Sequence, residues 1–240
     1  MTKMPDVDTR IQSTDERRRP LPENGPLQIV YEDESIIVLD KPAGTVVHPT
    51  YKNTSGTLLN AVLWRMRGRP GIQPGILTRL DKDTSGLVVI ALTPALHAVM
   101  QRDGAAGRIR KQYLAVVIGA PDPPSGTLAF PLGRDSEDRR RVVVTPTGAR
   151  CETRYDTVSL HAGRAVVRCE LITGRTHQIR VHLSASGWAV VGDATYGRPA
   201  PEIGRQALHA WRVSLPHPVT RERLDLEAQL PDDIRRLLPP

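Results

Sequence analysis

Residues 77–91 have the sequence LTRLDKDTSGLVVIA, which predicts a carboxylate held in a loop just before a buried strand. The run 86–92 is apolar, uncharged and rich in β-branched residues, as in strands that are covered on both faces. Asp81 precedes this run, and residues 83–86 form a polar DTSG segment between the two. Judged from these residues alone, the loop is either an Asx-type turn or the support of a functional aspartate.

Caps, turn residues and hydrophobic period predict the remaining elements. They are a hairpin at 27–40 turning at 32–34, a helix at 57–67, a helix at 93–102, a strand at 112–118, a basic hairpin segment at 139–144, a hairpin at 149–172 turning at 161–163, a helix at 176–187, and strands at 188–191 and 206–215. Thr57 and Thr93 are the expected N-caps of the first two helices, and Gly187 is the expected end of the third. This order predicts one α/β domain of the α+β type over residues 27–240.

Residues 1–26 differ in character from the rest of the chain. They are polar and Pro-rich, and they lack a hydrophobic period. This composition predicts a flexible N-terminal tail in front of the domain. The Arg run at 17–19 is either an RNA contact or a solvated charge run.

Positive charge is concentrated in one part of the chain. The 240 residues contain 33 Lys and Arg against 26 Asp and Glu, and the segment 101–180 holds 14 basic and 8 acidic residues, which is +6 of the net +7. Because guanidinium groups bind phosphate oxygens bidentately, this bias predicts a polyanionic partner such as nucleic acid. The alternative is that Arg is only the preferred cation of this coding sequence. An aromatic content of 4% excludes a module that stacks successive bases on aromatic platforms.

The cysteines and the hydropathy pattern predict a cytoplasmic protein. Cys151 and Cys169 lack the spacing of zinc and redox motifs. Pairing across the predicted hairpin places Cys151 near Ile172 and Cys169 near Arg154, so no disulfide is expected. The run 86–92 is too short to cross a membrane, and the first residues lack the apolar core of a secretion signal. We therefore expect a soluble, unexported protein.

Several common catalytic motifs are absent from the sequence, namely GxGxxG, GxxxxGK[ST], HExxH and GxSxG. Their absence argues against dinucleotide-binding enzymes, P-loop NTPases, zincins and serine hydrolases. His177 and His182 would point about 140° apart on the predicted helix, so they cannot share a metal ion. That helix instead places His177, Arg180 and Ser184 on one face. Asp81 and Arg180 thus offer an anion and a cation for one pocket.

The chain resembles the RluA family of RNA pseudouridine synthases, whose hallmark RLDxxTSGLLLLA appears here as RLDKDTSGLVVIA at 79–91. Further matches follow in family order within 27–220: IIVLDKPAGTVVHP at 36–49, KQYLAVVIG at 111–119, GRTHQIRVHL at 174–183, VVGDATYG at 190–197 and ALHAWRVSLPHP at 207–218. The resemblance implies a mixed, mainly antiparallel sheet flanked by helices, with a central basic cleft. It also implies isomerisation of uridine to pseudouridine in rRNA or tRNA, by a monomer that needs no cofactor.

The resemblance also assigns roles to single residues. Asp81 is the catalytic nucleophile or base that acts on the ribose, Arg180 is its ion-pair partner, and Tyr113 stacks on the target base and is the candidate for removing its C5 proton. Without the resemblance, Tyr113 is equally well a sheet residue and Leu208 a core residue. Arg79 is expected to fill the gap that the flipped base leaves. The implied substrate and RNA contacts are Lys41, His48, Arg79, Leu80, Thr84, Lys111, Arg175, His177 and Leu208.

Two departures from the family and two rival functions stay open at this point. Many members have His before the RLD tripeptide, where this chain has Thr78, and larger relatives carry an N-terminal S4 domain for which 26 tail residues are too few. The chain therefore resembles the short, single-domain members. The first rival is a catalytically silent RNA-binding or ribosome-assembly factor of the same fold. The second is a nucleoside or nucleotide hydrolase, which would not need the basic segment.

Overall fold

The computed structural model describes residues 20–50, 53–138 and 140–238. Its helices in these ranges are α1 (Leu58–Arg65), α2 (Pro94–Ala105), α3 (Gln178–Ala185) and α4 (Asp232–Arg235). Its strands are β1 (Ile29–Glu32), β2 (Ile36–Lys41), β3 (Gly75–Ile76), β4 (Ser85–Ala91), β5 (Arg110–Ile118), β6 (Ser125–Leu128), β7 (Leu132–Arg134), β8 (Val142–Val144), β9 (Thr153–His161), β10 (Arg164–Leu171), β11 (Leu208–Pro216) and β12 (Arg223–Glu227). None of the described helices is long and apolar enough to cross a membrane.

Ten of these strands form one central sheet in the order β1-β2-β4-β11-β5-β10-β9-β6, with β3 also pairing with β4 and β12 with β11. The described strand pairs are antiparallel except for β4 and β11, which run parallel. Strands β7 and β8 form a separate two-stranded hairpin. The predicted fold class, a mixed and mainly antiparallel sheet with helices, is confirmed.

Strand β4 lies in the middle of the core because helices cover both of its faces. All seven of its residues are buried. On one face, Val88 and Ile90 pack in a cluster with Val62 of α1, and on the other, Val89 packs with Met100 of α2. The uncharged run at 86–92 is therefore explained by burial on both sides.

The predicted helix caps are present. The Thr57 side chain accepts a hydrogen bond from the backbone N–H of Asn60, and the Asn60 side-chain oxygen accepts one from the backbone N–H of Thr57, so the pair forms a capping box. Thr93 caps α2 ahead of Pro94. Gly187 adopts a φ of +88° just past α3, as expected for a residue that ends a helix.

Some predicted elements differ in the structure. Residues 188–191 form only one isolated bridge, Val190 to Val117, instead of a strand, because Gly192 at φ +76° turns the chain away. Strands β3, β6, β7 and β12 and helix α4 were not predicted. The β9–β10 hairpin has a bulge between Val166 and Val167, which shifts the pairing by one residue.

That bulge changes the expected neighbours of the cysteines. Cys169 pairs with Tyr155 instead of Arg154, because one strand contains an extra residue. Both cysteines are buried and free. The expectation of no disulfide therefore agrees with the described structure, although the predicted register is wrong by one.

The predicted tail is too long at its C-terminal end. Residues 1–19 lie outside the described structure. The carbonyl of Leu21 accepts a hydrogen bond of 2.7 Å from the Asn60 side chain, and the Glu23 carboxylate accepts one of 2.7 Å from the backbone of Gly56. The fold therefore includes residues before Leu27, which are attached to α1 by polar contacts that hydrophobic periodicity does not reveal.

Candidate active site

Asp81 lies in the loop between β3 and β4, with its side chain about one quarter exposed. The backbone of Thr84 donates to the Asp81 carbonyl at 3.1 Å, which makes the local turn expected of a DTSG segment. Buried cations hold the next two carbonyls: Lys41 donates to that of Lys82 at 2.8 Å, and Arg205 to that of Asp83 at 3.0 Å. The turn is closed by the Asp81 carbonyl and not by its side chain, so it is not an Asx turn, and the loop is a support that presents one carboxylate.

Lys41 is not an RNA contact, and this prediction is wrong. Its side chain is completely buried, and its ammonium donates to the carbonyls of Pro42, Thr45 and Lys82 at 2.8–3.0 Å. Burial lowers its pKa to about 8, against the opposing effect of Asp83 and other nearby acids. Because all three N–H donors of this ammonium group bind carbonyls inside the fold, none is available to bind phosphate.

Arg180 of α3 bridges two carboxylates. Its Nη1 donates to Asp81 Oδ2 at 2.8 Å, while Nε and Nη2 donate to the two oxygens of Asp193 at 2.7 and 2.8 Å. Asp193 is buried and also accepts from the backbone of Thr195 and Tyr196. Burial alone would raise the pKa of Asp193, but the Arg180 hydrogen bonds and these backbone donors outweigh it and lower the pKa. Asp193 therefore fixes the guanidinium that holds Asp81.

Asp193 was not predicted as a site residue. The available signal was the VVGDATYG match at 190–197, whose aspartate is flanked by Gly192 and a polar segment. Sequence spacing gives no hint that this carboxylate meets Arg180, because the contact depends on how α3 packs beside the loop that follows it.

Tyr113 forms a wall of the site from strand β5. Its side chain is buried and lines a small cavity with Asp81, Thr84 and Leu208. Burial, with a smaller contribution from Asp81, raises the pKa of Tyr113 well above its usual value, so the phenol is neutral. An aromatic ring and a leucine beside a carboxylate make a pocket for one flat, uncharged base.

A larger cleft of about 370 Å³ opens from the same carboxylate. Its lining includes Arg79, Lys111 and Arg175, and Asp81 is the only carboxylate among the lining residues. Arg79 and Arg175 are exposed, whereas Lys111 is half-buried. Oxygen-rich anions are attracted to such a cleft, and the aspartate lies at its floor.

The other predicted contacts fall into two groups around Asp81. His48, Leu80 and His177 are half-buried and line the cavities. Burial, and next the charge of Arg79, lowers the pKa of His48. Thr84 and Leu208 are buried; the Thr84 hydroxyl accepts a hydrogen bond from Gln206 at 3.2 Å. Thr78 is also buried, and its hydroxyl accepts from the backbone of Val89 at 2.8 Å.

Much of the predicted basic stretch lies away from the cleft. Residues alternate across β5, so that Lys111 and Tyr113 face the cleft while Arg110 faces the opposite side of the sheet. The arginines on that side are each paired with an acid: Arg110 with Glu170, Arg154 with Glu152 and Arg168 with Asp156. These three arginines of the basic segment 101–180 therefore do not line the cleft.

Known proteins resemble this chain in sequence and in fold. The matching family model, described as RNA pseudouridylate synthase, covers residues 35–185. The ribosomal large subunit pseudouridine synthase D of Zymomonas mobilis is 39% identical over 232 residues, which are 90% of this chain and 73% of that protein. The protein of the same name from Pseudomonas aeruginosa is 41% identical over 227 residues, covering 88% of this chain and 71% of the relative. The solved structure of human RNA pseudouridylate synthase domain containing 1 aligns with a TM-score of 0.68 at 28% identity over 86% of each chain.

The chain belongs to the RNA pseudouridine synthases, as a member of the RluA family. It is an isomerase that acts on RNA.

Proposed function

We propose that this chain converts uridine to pseudouridine in large-subunit ribosomal RNA, with Asp81 acting on the target ribose. The observation that carries the proposal is the unequal environment of the two Asp81 oxygens. Arg180 donates to Oδ2 at 2.8 Å, whereas Oδ1 lies 3.8 Å from His177 Nε2, beyond hydrogen-bond distance. Arg180 thus holds Oδ2, whereas no hydrogen bond from the described residues holds Oδ1, and Asp81 lines the cleft. The names of the relatives support ribosomal RNA as the substrate.

The reaction breaks the bond between C1′ and N1 and forms one between C1′ and C5. The C5 proton is lost and N1 gains a proton, so the atoms balance without an oxidant or a hydrolytic water. Asp81 either adds to C1′ or removes the neighbouring C2′ proton, and the free Oδ1 serves both routes. Arg180 holds the carboxylate in place through the hydrogen bond from Nη1 to Oδ2.

We assign Tyr113 primarily to contact with the target base. Its raised pKa works against a phenolate, so a flat neutral surface is its main contribution. Leu208 closes the same pocket. The target must first leave its stack, at a cost of a few kcal/mol. Arg79, which is exposed two residues before Asp81, is placed to occupy the space that the flipped nucleotide leaves.

The substrate class is tested by tritium release from RNA labelled at C5 of uridine. We expect release from ribosomal RNA of a strain that lacks this gene, and little release from its transfer RNA. Mapping the pseudouridines lost in that strain would identify the target uridine. Release from transfer RNA alone would overturn the ribosomal assignment, and release from neither would favour the silent assembly factor. A ribosomal substrate also implies a cytoplasmic location in this proposal.

Substituting a cleft arginine is expected to change the salt dependence of RNA binding. Arg175→Ala should weaken binding to all RNA sequences and reduce the slope of log K against log salt by about 1, as the loss of one phosphate contact does. The matched control is Arg154→Ala, on the opposite face of the sheet, which should leave the slope unchanged. Fluorescence anisotropy over a salt series measures both. An equal effect of the two substitutions would contradict the cleft as the RNA path.

A further inference from the structure

His177 has an unusual backbone conformation at the start of α3. Its φ and ψ are 54° and 15°, in the left-handed region that residues other than glycine rarely adopt. It precedes the helix, yet its side chain makes no capping hydrogen bond. Strained residues of this kind cluster at functional sites. Here the conformation directs the imidazole into the active site, where it lines a cavity with Asp81 and Tyr113.

Tyr196 is the hydrogen-bond partner of His177 Nδ1. The backbone N–H of Val142 donates to the Tyr196 hydroxyl oxygen at 2.9 Å, and this oxygen lies 2.7 Å from His177 Nδ1. Because the Val142 N–H already donates to the Tyr196 oxygen, we infer that the Tyr196 hydroxyl donates its own proton to Nδ1. The neutral ring then carries its proton on Nε2, since each neutral imidazole has one donor and one acceptor.

The protonated Nε2 faces the free oxygen of the catalytic carboxylate. It lies 3.8 Å from Asp81 Oδ1, so the pair leaves a gap with a donor on one side and an acceptor on the other. A hydroxyl group fits such a gap, because it accepts one hydrogen bond and donates another. Burial lowers the pKa of His177, with Asp81 opposing and Arg180 adding to the effect, which supports a neutral ring.

We propose that His177 binds the 2′-hydroxyl of the target ribose through Nε2–H and so makes the site select ribose over 2′-deoxyribose. The inference rests on the proposed function, because it requires Asp81 to act at this sugar. An oxygen of Asp81 that reaches C1′ or the C2′ proton necessarily comes close to the hydroxyl on C2′. The 2′-hydroxyl is also the group by which proteins distinguish RNA from DNA.

The test compares two RNAs that differ only in the 2′-hydroxyl of the mapped target uridine. Binding is measured in an Asp81→Ala background, in which neither RNA is turned over. With His177 present, the 2′-deoxy RNA should bind about tenfold more weakly, the effect of one hydrogen bond whose loss leaves a donor unpaired. With His177→Ala, the ratio of the two Kd values should fall below about twofold. Equal weakening of both RNAs by His177→Ala, with the ratio unchanged, would show a structural role and overturn the inference.

Matched variants separate this role from general effects. His161→Ala, in the exposed β9–β10 turn, should keep the tenfold ratio. Tyr196→Phe removes the hydroxyl that fixes the tautomer, so the ratio should fall to about threefold, whereas Tyr155→Phe, which loses only a bond to the Pro123 carbonyl, should keep it. An unchanged ratio in Tyr196→Phe would contradict the tautomer argument. Failure of the proposed function is recognised separately, because the wild-type chain would then release no tritium.

Discussion

Asp81→Asn is expected to abolish pseudouridine formation, with a loss of at least about 1,000-fold in kcat, as for the removal of other catalytic nucleophiles. The amide keeps the shape of the side chain but supplies neither a nucleophilic oxygen nor a base. The fold should persist, because Arg180 retains both hydrogen bonds to Asp193 and the Asp81 side chain is partly exposed. Tritium release under single-turnover conditions measures the effect.

Asp83→Asn is the matched control for this substitution. Asp83 lies two residues further along the same loop, and its backbone carbonyl, which Arg205 binds, is unchanged by the substitution. We expect activity within about threefold of wild type, since the half-buried Asp83 side chain makes no hydrogen bond or ion pair with the described residues and such substitutions usually have small effects. Activity that survives Asp81→Asn would remove Asp81 from the reaction. A comparable loss in Asp83→Asn would point instead to two cooperating carboxylates, as in a glycoside hydrolase.

Gly86→Ala is expected to destabilise the fold strongly. Gly86 has a φ of +109°, and a Cβ at this position would lie 2.7 Å from both the backbone N and the carbonyl C of Ala210 and would overlap its oxygen. Here β4 runs parallel to β11, with Gly86 opposite Ala210. The new methyl group would overlap the backbone of a neighbouring central strand, and neither strand can move aside. We therefore expect a loss of about 4 kcal/mol or more in the free energy of unfolding.

Substitutions at two other glycines distinguish the cost of backbone strain from the cost of steric overlap. Urea unfolding measures the free energy of unfolding of each variant. Gly107→Ala keeps the positive φ, at +70°, but has open space around the new methyl group, so it should cost only about 1–2 kcal/mol. Gly104→Ala lies in α2 with open space and no positive φ, and it should stabilise the helix by up to about 1 kcal/mol. A Gly86→Ala protein no less stable than Gly107→Ala would show that the two strands separate easily at this point.

Local elements were predictable wherever the physical cause is local. Thr57 and Thr93 cap their helices through hydrogen bonds within four residues, and β4 is a strand because its whole apolar run is buried. The single bridge at 188–191 and the bulge in the β9–β10 hairpin depend on how neighbouring strands meet. Strand β12 alternates exposed and half-buried residues at the side of the sheet, so its apolar signal is weak.

The candidate site follows the same division. Motif matches identified Asp81, Arg180 and Tyr113, and the structure brings the three together. The same matches misassigned Lys41, because a motif residue that supports a loop looks the same in sequence as one that binds substrate. Asp193 was missed because its importance lies in a contact with Arg180 across 13 residues of chain.

The sequence by itself determined the family and its reaction and pointed to one candidate carboxylate, because these are carried by residue types in a loop before a buried strand. Tertiary structure alone decided which charges act at the site. Successive side chains of β5 point to opposite faces of the sheet. Lys111 therefore lines the cleft, whereas Arg110, its neighbour in the chain, forms an ion pair on the other face. Packing of α3 beside the Asp81 loop likewise leaves one carboxylate oxygen held and the other free. Net charge is a sum over the chain, whereas electrostatic function depends on the face to which each side chain points.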